Sequence, residues 1–108
     1  MEINDFPTND DWDESDWKRC FDTDDKWSSA PVFRTWPSGA TTEPVRPEDV
    51  AEVVQWHGYS PEGYGSVQLY ALLRLIDGRW AGVEAWADTS GWGCQDGVEW
   101  GISADRDT

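Results

Sequence analysis

Cations are the scarcest thing in this chain. Eight Lys and Arg stand against 22 Asp and Glu in 108 residues, giving a formal net charge of −14 with the single His neutral. Direct binding to nucleic-acid phosphates needs clustered Lys and Arg, and so does docking on anionic lipid, so neither is expected. Long apolar runs are missing too: none approaches the 18 residues of a membrane span. The opening MEINDFPTNDD has neither the basic nor the apolar region of a secretory signal. The compartment expected from these absences is the cytoplasm, that of the host cell if the gene is carried by a phage. Cysteine is limited to Cys20 and Cys94, expected there as reduced thiols rather than a disulfide. No CxxC is present to begin a zinc site, and no cofactor is expected.

What the chain has in excess is tryptophan and acid together. Nine Trp accompany the 22 acidic residues. A composition 38% hydrophobic and 14% aromatic is too apolar for a wholly disordered chain, and 108 residues fit one domain spanning 1–108. The predicted class is α+β: a small three- to four-stranded antiparallel sheet packed by one helix, with an acidic N-terminal arm.

Residues 1–27 are that arm. Its first 26 positions hold ten acids against three bases, half the net charge in a quarter of the length, with Trp12, Trp17, Phe21 and Trp27 interleaved. Trp17 and Phe21 are four apart, as on one face of a short helix that Ser15 or Asp13 caps. Residues 28–46 carry Pro31, Pro37, Gly39 and Pro44 and read as a connector, with Val32 to Trp36 a candidate edge strand. PEDVAEVVQWH, 47–57, has the marks of a helix. Pro47 suits its first position and Glu48 and Asp49 its positive end. Val50, Val53, Val54 and His57 recur as a stripe, and Gly58 is the stop.

Residues 66–103 read as an antiparallel hairpin plus a third strand. Two strand-like runs flank Asp77-Gly78, a turn in which both residues are expected at positive φ. On the first run Val67, Leu69, Ala71, Leu73 and Leu75 alternate with Gln68, Tyr70, Leu72, Arg74 and Ile76. The second set is partly apolar, so both sheet faces are candidates for cover. Val98 to Ser103 is the third strand.

The glycine-rich stretch Asp88 to Gly97 surrounds Trp92, Cys94 and Gln95, either as a recognition loop or as a connection whose Trp92 plugs the core. It lacks the Lys of a phosphate-binding loop. The segment IDGRWAGVEAWADTSGWGCQDG resembles a small family of uncharacterised actinobacterial and phage proteins. That family has a DGR-aromatic hairpin followed by a segment like CDYTGWDCQ. Asp88, Thr89, Gly91, Trp92, Cys94 and Gln95 match; Ala87 stands where the family has its first cysteine, Ser90 replaces Thr, and Gly93 replaces Asp. The resemblance covers about the last 60 residues and implies a phage-related setting with no established activity.

Cys94, His57 and Asp88 are one nucleophile, one base and one acid, too little for a catalytic assignment, and none is made. Asp11, Asp13, Ser15 and Asp22 fall at offsets 1, 3, 5 and 12 of a calcium loop, but Asp16 stands at the glycine position and no metal is assigned. Carboxylates three apart on a helix lie about 5–6 Å from each other, and alternate strand residues about 6–7 Å, spacings that imitate successive phosphates. Asp10, Asp13 and Asp16 have the first spacing; Glu84, Asp88, Asp96 and Glu99 extend a row on the hairpin.

The function read from this is a non-enzymatic inhibitor of the DNA-mimic, anti-CRISPR or anti-restriction type. It would block a basic groove of a nucleic-acid-binding host defence protein. Its expected contacts are Asp10, Asp11, Asp13, Glu14, Asp16, Trp12, Trp17, Asp22, Asp25 and Trp92. The alternative is a structural or assembly protein whose acid serves solubility only.

Overall fold

The computed structural model describes residues 1–23, 30–60, 67–88 and 95–104. They form helix α1 (Glu14–Phe21) and strands β1 (Val32–Thr35), β2 (Ala40–Thr41), β3 (Val50–Tyr59), β4 (Val67–Leu75), β5 (Trp80–Asp88) and β6 (Gln95–Ser103). The class is α+β, but the sheet has six strands in the order β2-β1-β6-β5-β4-β3. It is mixed rather than antiparallel, because β1 runs parallel to β6. The candidate strand at Val32 to Trp36 forms as β1, but inside the sheet rather than at its edge, because β2, from the expected connector, pairs with it across Arg34 and Thr41.

The hairpin forms from the expected alternation, with a different turn. Arg74 faces Trp80, and the Leu75 N–H donates to Arg79 O at 2.9 Å. That leaves a three-residue loop, Ile76 to Gly78, in which Gly78 alone has positive φ, +89°. Such loops place a single left-handed residue at their end, so Asp77 needs no strained backbone. Asp77 instead accepts from the Arg79 backbone N–H at 3.0 Å and from Arg79 Nε at 2.7 Å.

The expected helix 47–57 is a strand. Only Pro47–Asp49 turns, as one short 3-10 turn. The misleading period has a physical origin. β3 carries register shifts after Val50 and after Val53, so one extra residue is inserted at each. Each bulge resets the in–out alternation. Val50, Val53 and Trp56 thereby reach the same face at a spacing of three, imitating a helical stripe. β-branched Val50, Val53 and Val54 favour the extended form.

One face of this sheet is the core. Leu69, Leu73 and Leu75 of β4, Ala81, Val83 and Ala85 of β5, Val98, Trp100 and Ile102 of β6 and Phe33 of β1 are all buried on it. The acidic arm is the second layer. α1 forms over Trp17 and Phe21 as expected and is capped by Asp13, whose carboxylate accepts from Asp16 N–H at 3.0 Å. Asp16 reciprocates by accepting from Asp13 N–H at 2.9 Å. Trp12 and Trp17 are fully buried. Trp17 donates through Nε1 to Pro7 O at 2.6 Å, and its ring lies 5.0 Å from Phe6 and 6.0 Å from Trp12. Trp100 donates through Nε1 to Cys20 O at 2.9 Å, tying β6 to the helix. Asn9 completes the attachment: its Oδ1 accepts from Asp11 and Trp12 N–H, and its Nδ2 donates to Gly58 O at 2.9 Å.

Gly58 is small because Trp12 lies on it. A methyl group there would sit 2.5 Å from Trp12 Cβ. Gly58→Val is expected to lift the arm off β3 and cost about 1–3 kcal/mol as an overpacking substitution. Urea unfolding measures the loss, and a stable variant with Trp12 still shielded from fluorescence quenchers would contradict this packing.

Candidate functional site: the open face of the sheet

Among the described residues, the arm covers one face only. On the other, side chains that alternate with the core residues look outward, and strand register lays them in rows. One row runs His57, Tyr70, Glu84, Glu99, Val32 across five strands. The next runs Gln55, Leu72, Gly82, Gly101, Arg34. This face carries an open groove of about 760 Å³. Trp36 at one end and Tyr70 near the middle are 48% and 47% exposed, large apolar surfaces left to water.

The aromatic wall is built along β3 and β4. His57 and Tyr59 rings lie 4.6 Å apart, and Tyr59 stacks on Tyr70 at 6.4 Å. Tyr59 donates its hydroxyl to Gln68 Oε1 at 2.6 Å. The negative charge of Glu84 beside Tyr70 pushes that hydroxyl's pKa above the ordinary tyrosine range, with Tyr59 adding to the shift. A raised pKa favours the protonated form in the folded protein. Its contribution to stability is therefore complete below the unfolded tyrosine pKa, about 10, and is lost as pH rises through the folded value. Glu84→Gln is expected to return Tyr70 toward ordinary behaviour in an ultraviolet pH titration; an unchanged midpoint would place Glu84 away from the hydroxyl.

Glu84 and Glu99 are direct partners across β5 and β6. Like charges so placed destabilise a sheet. Of the carboxylate row expected on the hairpin, Glu84 and Glu99 face each other on this side, while the side chains of Asp88 and Asp96 lie outside the described residues. The described carboxylates of the arm are on the opposite side of the sheet, so they form no single row with Glu84 and Glu99.

Nor do Asp10, Asp13 and Asp16 form a helix face, because α1 begins at Glu14. Asp10, Asp11 and Glu14 are exposed, Glu14 3.7 Å from Lys18. Asp13 and Asp16 hold each other's backbone. The Asp16 N–H and the Ser15 hydroxyl keep Asp13 below the usual carboxylate range, whereas burial pushes Asp16 up. Asp22 is exposed at the far end of α1, and the helix between it and Asp13 is incompatible with a calcium loop. Trp12 and Trp17 present no ring to a partner, because both are core. Asp25, Trp27, Trp92 and Cys94 lie outside the described residues. Cys20 is a free, buried thiol whose pKa burial pushes up to about 12, so it is no nucleophile. His57, weighed with Cys94, faces the groove instead of ending a helix.

Sequence reasoning passes over Tyr70, Leu72 and Gly82 as site residues, whereas Trp36 stands among the tryptophans it weighs as interface anchors. The one signal for Tyr70 and Leu72 is the amphipathic second set on β4, a mixture of polar and apolar side chains that suits a binding face as well as a covered one.

No known family, curated protein or solved structure matches this chain. Among the described residues, no helix is long and apolar enough to cross a membrane.

Proposed function

We propose that this chain is a non-enzymatic acidic binding protein. It occupies the basic, nucleic-acid-binding surface of a partner and blocks it, as an anti-restriction or anti-CRISPR inhibitor does. One observation carries the reading: among the described residues the fold buries three tryptophans and no Asp or Glu. Trp12, Trp17 and Trp100 are buried, while the only buried polar side chain among the described residues is Ser103. The described carboxylates are thus left at least partly exposed, and the acid of a chain with net charge −14 accelerates encounter with a cationic partner and opposes the compact state. The blocking acts through charge density on two sides of the sheet rather than through one phosphate-spaced row.

The second reading is an assembly protein whose acid only solubilises it. The Glu84–Glu99 pair counts against that, since solubility does not require like charges set opposite each other in a groove. A gel-shift assay separates the two. With a basic DNA-binding protein captured from the source cell, one equivalent of this chain is expected to release the bound DNA. A captured protein that keeps its DNA while holding this chain would overturn the blocking role.

A further inference from the structure

The sheet's glycines single out one place in the groove. Gly58, Gly97 and Gly101 each lie under an indole: added methyl groups would meet Trp12, Trp86 and Trp36 respectively, the last at 2.5 Å from Nε1. Among the described residues, nothing lies over Gly82. A methyl there would meet only Ala71 O, at 4.0 Å. Its φ is not positive, so the backbone accepts any residue. Neither conformation nor packing accounts for this glycine, and a strand interior disfavours it. Its effect is a bare patch of backbone on the open face, between Leu72 and Gly101 in register, with Trp36 lying over Gly101.

Charge marks the same spot. Glu84 and Glu99 are two residues along from Gly82 and Gly101 on the same face, so the paired carboxylates border the slot. Of the cations nearby, Arg34 turns to Gly39 O at 3.1 Å, and Arg74 is paired with Glu52 at 2.9 Å. A flat group that carries positive charge and stacks beside an indole fits this arrangement, and the guanidinium of arginine is such a group.

The sheet's edges leave the face as the route of approach. β3 has two bulges on one outer edge, where Asn9 holds Gly58 O and the Met1 amine holds Val50 O at 2.7 Å; β2, at the other edge, is two residues long. Neither offers a long, regular template for an added strand.

We infer that the open-face groove receives an arginine side chain from an extended segment of the basic partner. Its guanidinium lies over Gly82 beside Trp36 and bonds to Glu84 and Glu99. This rests on the basic-partner reading and assigns it a place.

The test uses the full chain and a short peptide alternating arginine and alanine, with a citrulline counterpart of equal shape and no charge. Amide chemical-shift titration is expected to show the arginine peptide moving Gly82, Glu84, Glu99 and the Trp36 indole N–H. The citrulline peptide is expected to bind about tenfold more weakly or worse. Gly82→Val is expected to fold at least as stably as the natural chain, because valine suits a strand, yet to lose the peptide. Glu84→Gln/Glu99→Gln is expected to behave alike, being relieved of its like-charge pair. Shifts confined to Asp10, Asp11 and Glu14, equal binding of the citrulline peptide, or undiminished binding by Gly82→Val would each overturn the slot. Gly82→Val that still captures the basic partner in a salt-sensitive way would overturn the slot and leave the basic-partner reading standing. Absence of any salt-sensitive partner for the natural chain would remove both.

Discussion

Trp17→Ala is expected to cost about 3–5 kcal/mol, a large share of the about 5–15 kcal/mol that a domain possesses. Trp17 is fully buried where the arm meets the sheet. It touches Phe6 and Trp12 within the arm and lies 6.4 Å from Trp56 on β3. Truncation leaves a cavity the size of an indole and an unsatisfied Pro7 carbonyl, which now accepts from Nε1 at 2.6 Å. The whole core face of the sheet depends on this layer, so the loss should be cooperative rather than a fraying of the N-terminus. Trp36→Ala is the comparison. Trp36 is 48% exposed in the groove, and its removal is expected to cost under about 1 kcal/mol. Urea unfolding of both variants decides the matter. Equal, small losses would mean that residues 1–23 are an appendage and not part of the core.

Charge reversal of Asp10, Asp11 and Glu14 to lysine is expected to slow association with a basic partner by about 10–100-fold at low ionic strength. Each reversal adds two positive units, which takes the formal charge from −14 to −8. Asp10 and Asp11 are exposed and precede α1, and Glu14 has only a solvent-exposed partner in Lys18. The triple variant should therefore fold with the stability of the natural chain to within about 1 kcal/mol. Asp13 and Asp16 are unsuitable for this purpose. They cap α1 through each other's backbone, and losing such a cap costs about 0.5–2 kcal/mol, so a binding defect there would mix with a folding defect. An association rate unchanged by the triple reversal, with stability intact, would move the steering charge elsewhere on the surface.

The hairpin is legible in the sequence because its signal is local: alternation on both sides of Asp77-Gly78. Helix α1 is legible from the four-residue spacing of Trp17 and Phe21 and from Asp13 as a cap. Residues 47–57 mislead because two bulges in β3 turn a period of two into a period of three, and bulges depend on what the neighbouring strand requires. The parallel pairing of β1 with β6 joins residues about 67 positions apart, as Val32 with Glu99, and no local pattern announces it. The arm reads as a surface because its tryptophans sit among carboxylates. In the fold those two residue types separate: the rings of Trp12 and Trp17 turn into the sheet, and the described carboxylates stay at least partly exposed. The groove is the least visible part. Its residues come from five strands, and its floor is marked by a side chain that Gly82 does not have.

The most direct test of an acidic protein that seeks a basic partner is a side-by-side capture from source-cell lysate. The natural chain and the Asp10→Lys/Asp11→Lys/Glu14→Lys variant are loaded at low salt and eluted on one rising salt gradient, with each fraction identified. A nucleic-acid-binding protein held by the natural chain until salt rises, and released much earlier by the variant, is the expected result. Capture that ignores salt, or the same partner eluting at the same salt from both, would contradict a steering role for the acid.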